Sequence, residues 1–284
     1  MPRLRRPARG IDYLVIGHVC RDLTPDGPRL GGTATFSALT AQALGLQAAI
    51  VTSAPSAMAS LLCPLQTIPL YLHPSEQITT FENIYTPQGR AQTLRARAEP
   101  LTVTHVPSEW KKAPLVHLAP VADEVDPLLA TAFPGALLGI TPQGWMRQWD
   151  QVGHISYRSW NDGSIILSKV GAVVLSIEDI NGDEGLVCTM ARQAAILVVT
   201  RGADGCTVFV DATPHTIPAP QTDVLDPTGA GDIFAAAFFI RLWITHDPLA
   251  AARFATQLAS ASVARVGLEG IPSREAIVAA LSGN

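Results

Sequence analysis

Short uninterrupted apolar runs alternate with longer mixed segments along most of this chain. "IDYLVIGHV" (11–19) is such a run, ending at a glycine and a histidine, the pattern of a strand covered on both faces. "GGTATFSALTAQALGL" (31–46) predicts a glycine turn opening into a helix with a small-residue apolar face, stopped at Gly45. "QAAIVTSA" predicts the next strand. From residue 114 the rhythm repeats in "PLVHLAP", "GALLGITP", "AVVLSIED", "AAILVVTRG" and "TVFVDA", with the helix-like segments "DEVDPLLATAF" and "NGDEGLVCTMARQ" between them. Beyond residue 230 the pattern is helical, rich in Ala and broken at "RVGLEGIPS". Alternation of this kind predicts an α/β fold, a mainly parallel sheet covered by helices on both faces.

Residues 66–104 have a different period. "TIPLYLH", "QITTFENIYTP" and "RAQTLRARAEPLTVTH" alternate polar and apolar positions and are rich in Thr, Tyr and Ile. A period of two predicts a small antiparallel strand set with one exposed face. The expected organisation is a single domain over 1–284 with this small β excursion.

Composition agrees with a packed domain: 48% hydrophobic and 15% charged residues predict a sizeable core. A net charge of -4 and a pI near 6.0 carry no nucleic-acid footprint. No stretch reaches the about 18 uninterrupted apolar residues of a membrane span. "MPRLRRPARG" reads as a short charged tail; no apolar segment or cleavage site follows it, so no secretory signal is expected. Cys20, Cys63, Cys188 and Cys206 lack metal-ligand spacing and lie in apolar or small-residue surroundings, predicting buried, reduced thiols in a cytoplasmic protein. The histidines form no HxxxH or HExxH pattern, so no structural metal site is expected. The oligomeric state stays open between monomer and homodimer, the exposed face of the small sheet being a candidate contact.

In open α/β sheets, ligands bind beyond the carboxyl ends of the strands, and the polar clusters of this chain fall at such ends. One of them is "DPTGAGD" (226–232), directly before the apolar run "IFAAAFFI". The first turn of a helix has unpaired N–H groups and the positive end of its dipole, so it attracts anions. Gly229 and Gly231 let backbone approach an anion without a clashing Cβ. Asp232 would repel that anion unless its task is to take a proton from a hydroxyl attacking there. A plain Asp N-cap after a glycine turn is the other reading of these residues. No Walker A pattern and no GxGxxG is present, so P-loop and Rossmann readings have no support.

"DPTGAGDIFAAAFF" resembles the C-terminal signature of the ribokinase-like, or PfkB, carbohydrate kinases, D-T-x-G-A-G-D before a hydrophobic helix, with Pro227 and Thr228 where the pattern has T-x. The resemblance implies a ribokinase-like three-layer α/β/α sandwich with a mainly parallel sheet and a small β lid. It implies ATP as donor with Mg²⁺, Asp232 as general base, and the amides of Gly229, Ala230 and Gly231 as an anion hole. "LVIGHVCRDLT" is similar to the family's first strand, where the aspartate at the place of Asp22 bonds acceptor hydroxyls; locally, Asp22 also reads as a turn residue. "GGTATFSALTAQALG" resembles the element whose glycine pair, here Gly31 and Gly32, lies against the substrate. Phe36 stands where the family has asparagine; Thr33 and Thr35 either supply hydroxyls instead or simply start the helix.

"LGITPQGWMRQW" occupies the place of D-P-N-x-R-x-x-W, with Pro142, Gln143, Arg147 and Trp149 recognisable and Thr141 in place of the acid. There Arg147 either neutralises charge on the transferring phosphoryl group or is a surface helix cation. "VVLSIEDI" stands at the family's N-x-x-E, with Ser176 at the Asn place, Asp179 at the Glu place and Glu178 beside it. These carboxylates read either as water-mediated magnesium contacts or as dipole-complementing residues at a helix start. "LVVTRGADGCTVF" is similar to v-T-x-G-x-x-G, which lines the nucleotide site, through Thr200, Gly202 and Gly205; a strand–turn–strand fits the same residues. Thr228 joins this ATP set. "ASVARVGLEGIP" resembles the segment that completes the nucleotide pocket and, in some members, a monovalent-cation (K⁺) site near Asp226.

Only eight residues separate Asp22 from Gly31, too few for the long lid hairpin of many such enzymes, so the lid is expected mainly from 66–104. "VIGHVCRDL", "GGTATFSA", "TTFENIY" and "PQGWMR" resemble the archaeal and plant inositol kinase branch, which implies myo-inositol or another cyclic polyol as acceptor. A pentose, hexose or nucleoside is the alternative, and a catalytically silent ligand-binding descendant is the reading from a different class.

Overall fold

A computed structural model describes residues 10–58, 60–86, 89–160 and 163–283; the charged tail expected at the start lies, but for Gly10, outside the described residues. In chain order the elements are β1 (Tyr13–Ile16), β2 (Cys20–Thr24), β3 (Gly27–Gly31), α1 (Thr33–Ala43), β4 (Ala48–Ala54), β5 (Leu70–Pro74), β6 (Thr79–Thr86), β7 (Gly89–Ala96), β8 (Leu115–Leu118), β9 (Leu137–Ile140), β10 (Arg147–Trp149), β11 (Ile155–Tyr157), α2 (Gly163–Leu167), β12 (Ala172–Ser176), α3 (Glu184–Ala191), β13 (Ile196–Thr200), β14 (Cys206–Val210), β15 (Thr213–Ile217), α4 (Ala230–Thr245), α5 (Pro248–Ser262) and α6 (Arg274–Ser282).

A nine-stranded sheet runs in the order β15-β14-β13-β12-β9-β8-β1-β4-β5. From β13 to β5 every pairing is parallel, and β14 and β15 continue it antiparallel. Its strands are apolar on both faces because both faces are covered. Tyr13 and Val15 of β1 join the core under α1, α4 and α5, whereas Leu14 and Ile16 point into the opposite core with Trp145, Val187 and Met190. The result is the expected three-layer α/β/α arrangement. Packing against α4 is close enough that Gly139 of β9 has no room for a side chain: a Cβ there would lie 2.7 Å from the Phe239 ring.

A second, four-stranded sheet has the order β3-β2-β6-β7. Its composition corrects the expectation in two respects. "TIPLYLH" does not enter it: β5 pairs in parallel with β4 and forms an edge of the main sheet. The segment between Asp22 and Gly31, too short for a long lid hairpin, belongs to a tight one whose β2 pairs in parallel with β6. It supplies two of the four strands, and β6 and β7 supply the rest from within 66–104.

"DEVDPLLATAF" is not a helix beyond one short 3₁₀ turn, Pro127–Thr131. Asp126 caps that turn at Leu128 N–H, and the segment is used up before a longer helix can form. The thiols also divide: Cys20 and Cys206 are buried as expected, but Cys63 and Cys188 are exposed, and all four are free. Cys188 lies between the buried Val187 and Met190 of α3, on the side of the helical period that turns to solvent. Among the described residues no helix is long and apolar enough to cross a membrane.

His117 of β8 is buried in the parallel sheet with polar partners on both ring nitrogens. Nδ1 meets the Tyr13 hydroxyl at 2.7 Å and Nε2 the Thr141 hydroxyl at 3.0 Å. Burial pushes its pKa down to about 3, so the folded protein holds a neutral ring. The unfolded chain takes up a proton near the ordinary histidine value of about 6.5, which the folded chain refuses. Stability from this residue is therefore complete above about pH 6.5 and falls on acidification toward pH 3, by up to about 1.4 kcal/mol per pH unit. Urea unfolding between pH 7 and pH 4 is expected to show this decline, with a flatter profile for His117→Gln.

Candidate active site

Two helices begin together at the carboxyl ends of the parallel strands. α1 has Gly32 as its N-cap at φ 88°, and α4 has Gly229 at φ 81°, a region that side chains disfavour. Neither cap residue supplies a side-chain hydrogen bond, so both first turns keep the anion-attracting character of an open helix start. The helices touch at these starts. A Cβ on Gly229 would lie 2.3 Å from the Phe36 ring, and the Ser37 hydroxyl lies 3.5 Å from the Asp232 carbonyl it donates to. Asp232 sits in the first turn of α4.

The small sheet brings Asp22 to the same place. Its carboxylate rests over Gly31, where a Cβ would be 1.9 Å from Oδ2, so the glycine makes room for the acid. Gly32 is equally constrained, since a Cβ would meet the His18 carbonyl at 2.6 Å. Thr33 accepts from the Gln143 side chain at 3.2 Å, while Thr35 donates to the Gly31 carbonyl at 2.7 Å, a helix-start contact. Arg147 is at the start of β10 rather than on a surface helix. Its Nη1 donates to the Val121 carbonyl at 2.9 Å, and its guanidinium lies 5.9 Å from the Phe81 ring centre. Cys20 reports how these groups converge. Burial pushes its thiol well up, the charges of Asp22, Glu124 and Asp232 act the same way, and Arg147 opposes them.

The residues expected at the donor side line neighbouring strand ends. Thr200 closes β13, its hydroxyl 3.4 Å from the Leu175 carbonyl. Gly202 at φ 57° and Gly205 at φ 90° make the turn into β14, confirming strand–turn–strand; a Cβ on Gly205 would meet the Ile217 carbonyl at 2.1 Å. Ser176, paired with Thr200 in register, begins a 3₁₀ turn in a capping box: Asp179 accepts from Ser176 N–H at 2.9 Å, and Ser176 Oγ from Glu178 N–H at 3.2 Å. Asp226 spans two loops, accepting from Thr228 N–H and Gly267 N–H, each at 2.9 Å. Burial works against its charge, but the hydrogen bonds of Thr228 and Gly267 and the nearby Arg29 outweigh it and hold the carboxyl below its ordinary range. Among the described residues no group of three or more His, Cys, Asp or Glu could hold a metal ion.

Glu124 escaped the sequence reading. It is 1% exposed and accepts from His18 N–H at 3.0 Å, Val121 N–H at 2.9 Å and Ala122 N–H at 2.7 Å. One carboxylate thereby fixes the loops leaving β1 and β8. His18, buried and with its pKa lowered chiefly by that burial, bonds Thr79 at 2.6 Å and the Glu99 carbonyl at 2.9 Å, tying β1 to the small sheet. Arg97 donates to the Ala122 and Asp123 carbonyls, and Arg158 pairs with Asp123 at 2.7 Å. A pair of acids within a short apolar loop after a strand, in "APVADEV", was the available signal.

The profile of the pfkB family carbohydrate kinases matches residues 179–274. The inositol 3-kinase of Zea mays is 28% identical over 295 aligned positions, covering 91% of this chain and 74% of that protein. The ribokinase of Bacillus subtilis is 37% identical over 94 residues, which is 33% of this chain and 32% of that protein. A solved pyrophosphate-dependent kinase of the ribokinase family, complexed with a pyrophosphate analog and myo-inositol, superposes with TM-score 0.81 at 22% identity, covering 94% of this chain and 99% of that one. At that identity the likeness is one of fold.

The contact between α1 and α4 yields a test. Gly229→Ala forces a Cβ into the Phe36 ring at a left-handed φ and is expected to destabilise the protein by about 2 kcal/mol or more. Urea unfolding of Gly229→Ala, Phe36→Ala and the double variant should give a cost for Gly229→Ala that is smaller by about 1 kcal/mol once the ring is gone.

Proposed function

We propose that this chain, whose residues 179–274 match the profile of the pfkB family carbohydrate kinases, transfers the terminal phosphoryl group of ATP to a hydroxyl of a cyclic polyol, myo-inositol. The observation that carries this reading is the meeting of the α1 and α4 starts at Phe36, Ser37, Gly229 and Asp232, with the Asp22 carboxylate over Gly31 beside the α1 cap. A helix start of this kind receives phosphate, and an acid in its first turn beside that phosphate is placed to take the proton of the attacking hydroxyl.

Asp22 accepts hydrogen bonds from acceptor hydroxyls, with Gly31, Gly32 and Thr33 forming the wall beside it. Asp232 takes the proton of the attacking hydroxyl. The oxygen–phosphorus bond forms as the bond from that phosphorus to the bridging oxygen breaks, and ADP leaves with the electron pair. The amides of Gly229, Ala230 and Gly231 face the negative charge that builds up, and Arg147 adds a cation from the acceptor side. Thr200, Gly202, Gly205 and Thr228 belong to the donor side. Glu178 and Asp179, just beyond β12, would hold a hydrated magnesium ion through its waters, and the ion would neutralise charge on the donor phosphates. Asp226 fixes the loop of the anion hole, and a potassium ion beside it would act through that loop. The reading treats 1–284 as one catalytic unit and places it in the cytoplasm.

The match to the maize inositol 3-kinase over most of the chain supports the acceptor. A pentose or hexose is the second reading, favoured by the local match to a ribokinase. The test is ADP formation with a panel of inositols, sugars and nucleosides. myo-Inositol is expected to stimulate turnover most, and Asp232→Asn to lower kcat by about 10²–10⁴ with an unchanged unfolding midpoint. If no acceptor raises ADP formation above the Asp232→Asn level, the protein is a binder on this fold and not a kinase.

A further inference from the structure

The pairing of the small sheet puts one more charge on the face that looks into the site. In the β2–β3 hairpin Cys20 lies opposite Gly31, Asp22 opposite Arg29 and Thr24 opposite Gly27. Directly opposed residues of an antiparallel pair project from the same face. Arg29 therefore shares a face with Asp22, whose carboxylate rests over Gly31, and with Cys20, which packs with Phe81 and Leu94 against Val121 and Ala122 at the strand ends.

Arg29 is also near the loop that leads into α4. Its charge helps to hold Asp226 ionised, and Asp226 is the residue that binds Thr228 and Gly267 together. Its ion pair is with Asp26 at 3.0 Å, three residues away on the same hairpin, with side chains 43% and 80% exposed. A pair that open to water contributes little and gives way readily to a stronger anion. Phosphate is such an anion, because its oxygens match the planar fork of a guanidinium.

Charge balance points the same way. Asp22, Asp226 and Asp232 all surround the place where a polyanion is to arrive, and carboxylates alone would repel it. Arg147 is engaged on the acceptor side, at Val121 and Phe81. Arg29, two residues before Gly31, is a further cation on the hairpin face that it shares with Asp22.

We propose that Arg29 is a donor-phosphate ligand, its guanidinium reaching the polyphosphate end received by the N-terminus of α4. The small sheet thus contributes to holding the donor as well as to covering the acceptor. This inference rests on the reading of that helix start as the phosphate site.

The test compares wild type, Arg29→Gln and Arg29→Lys by calorimetric binding of magnesium-ATP and of pyrophosphate, alongside steady-state kinetics and urea unfolding. Loss of one charged contact to phosphate is expected to weaken donor binding, or to lower kcat, on the order of tenfold to a hundredfold in Arg29→Gln. The acceptor KM and the unfolding midpoint should not move, and Arg29→Lys should recover part of the loss. Unchanged donor binding and kcat, or a loss confined to the acceptor KM, overturns the proposal. Calorimetry separates the two claims. A wild type that binds donor in an Arg29-dependent way but makes no phosphorylated product keeps this inference and sinks the kinase reading. A wild type that phosphorylates as well as Arg29→Gln sinks this inference alone, and one that binds neither donor overturns both.

Discussion

α4 can begin where it does only because Gly229 offers no side chain to the Phe36 ring. That contact sets the height of the helix above the sheet, and the rest of α4 then fits its bed. Phe238 and Phe239 are fully buried, and Gly139 on β9 is the matching absence that lets the Phe239 ring lie against the strand. α4 in turn packs along α5, whose end is tied back through Val263 to the backbone of Leu225 and Asp226. The open end of α4 is thus held from α1 on one side and from the turn after α5 on the other. An anion site made of backbone N–H groups depends on such rigidity, because its amides cannot be re-aimed by a rotamer.

The same economy governs the acids. Glu124 is spent entirely on backbone amides and Asp226 on two loops, so both act as fixed struts. Asp22 and Asp232 are the carboxylates that face the acceptor in the proposed reaction. Local sequence does not separate these roles; what separates them is which backbone N–H groups each acid finds when the loops close.

The main sheet was legible because a strand buried on both faces is apolar throughout, as in Tyr13–Ile16, where neighbouring side chains enter opposite cores. "TIPLYLH" misled because an edge strand of a covered sheet is half exposed and alternates just as a strand of the small sheet does. The Cys20–Thr24 strand was missed for the opposite reason. "CRDLT" has no apolar period, and its place is set by pairing with Thr79–Glu82, far along the chain. Glycine positions at the site were readable, since "GG" and "GAG" announce close approach. Phe36 was noticed only as a departure from a pattern; that its ring fills the space beside Gly229 needed the packing of two helices distant in sequence. Glu124 and Arg29 carry meaning only through cross-strand register and loop closure, which no local pattern encodes.

The two hairpins of the small sheet leave the main sheet separately, one between β1 and α1, the other between β5 and the segment that leads to β8. Each is anchored at both of its ends, the β2–β6 pairing welds them into one body, and His18 adds a pin through Thr79. A body tethered in this way has no single pivot. Held in this way, it would rock about the line of its anchors rather than swing about one hinge. Motion of that kind would change the height of the roof above the acceptor more than it would open a door, so a ligand's own thickness, rather than its length, is what such a roof can gauge.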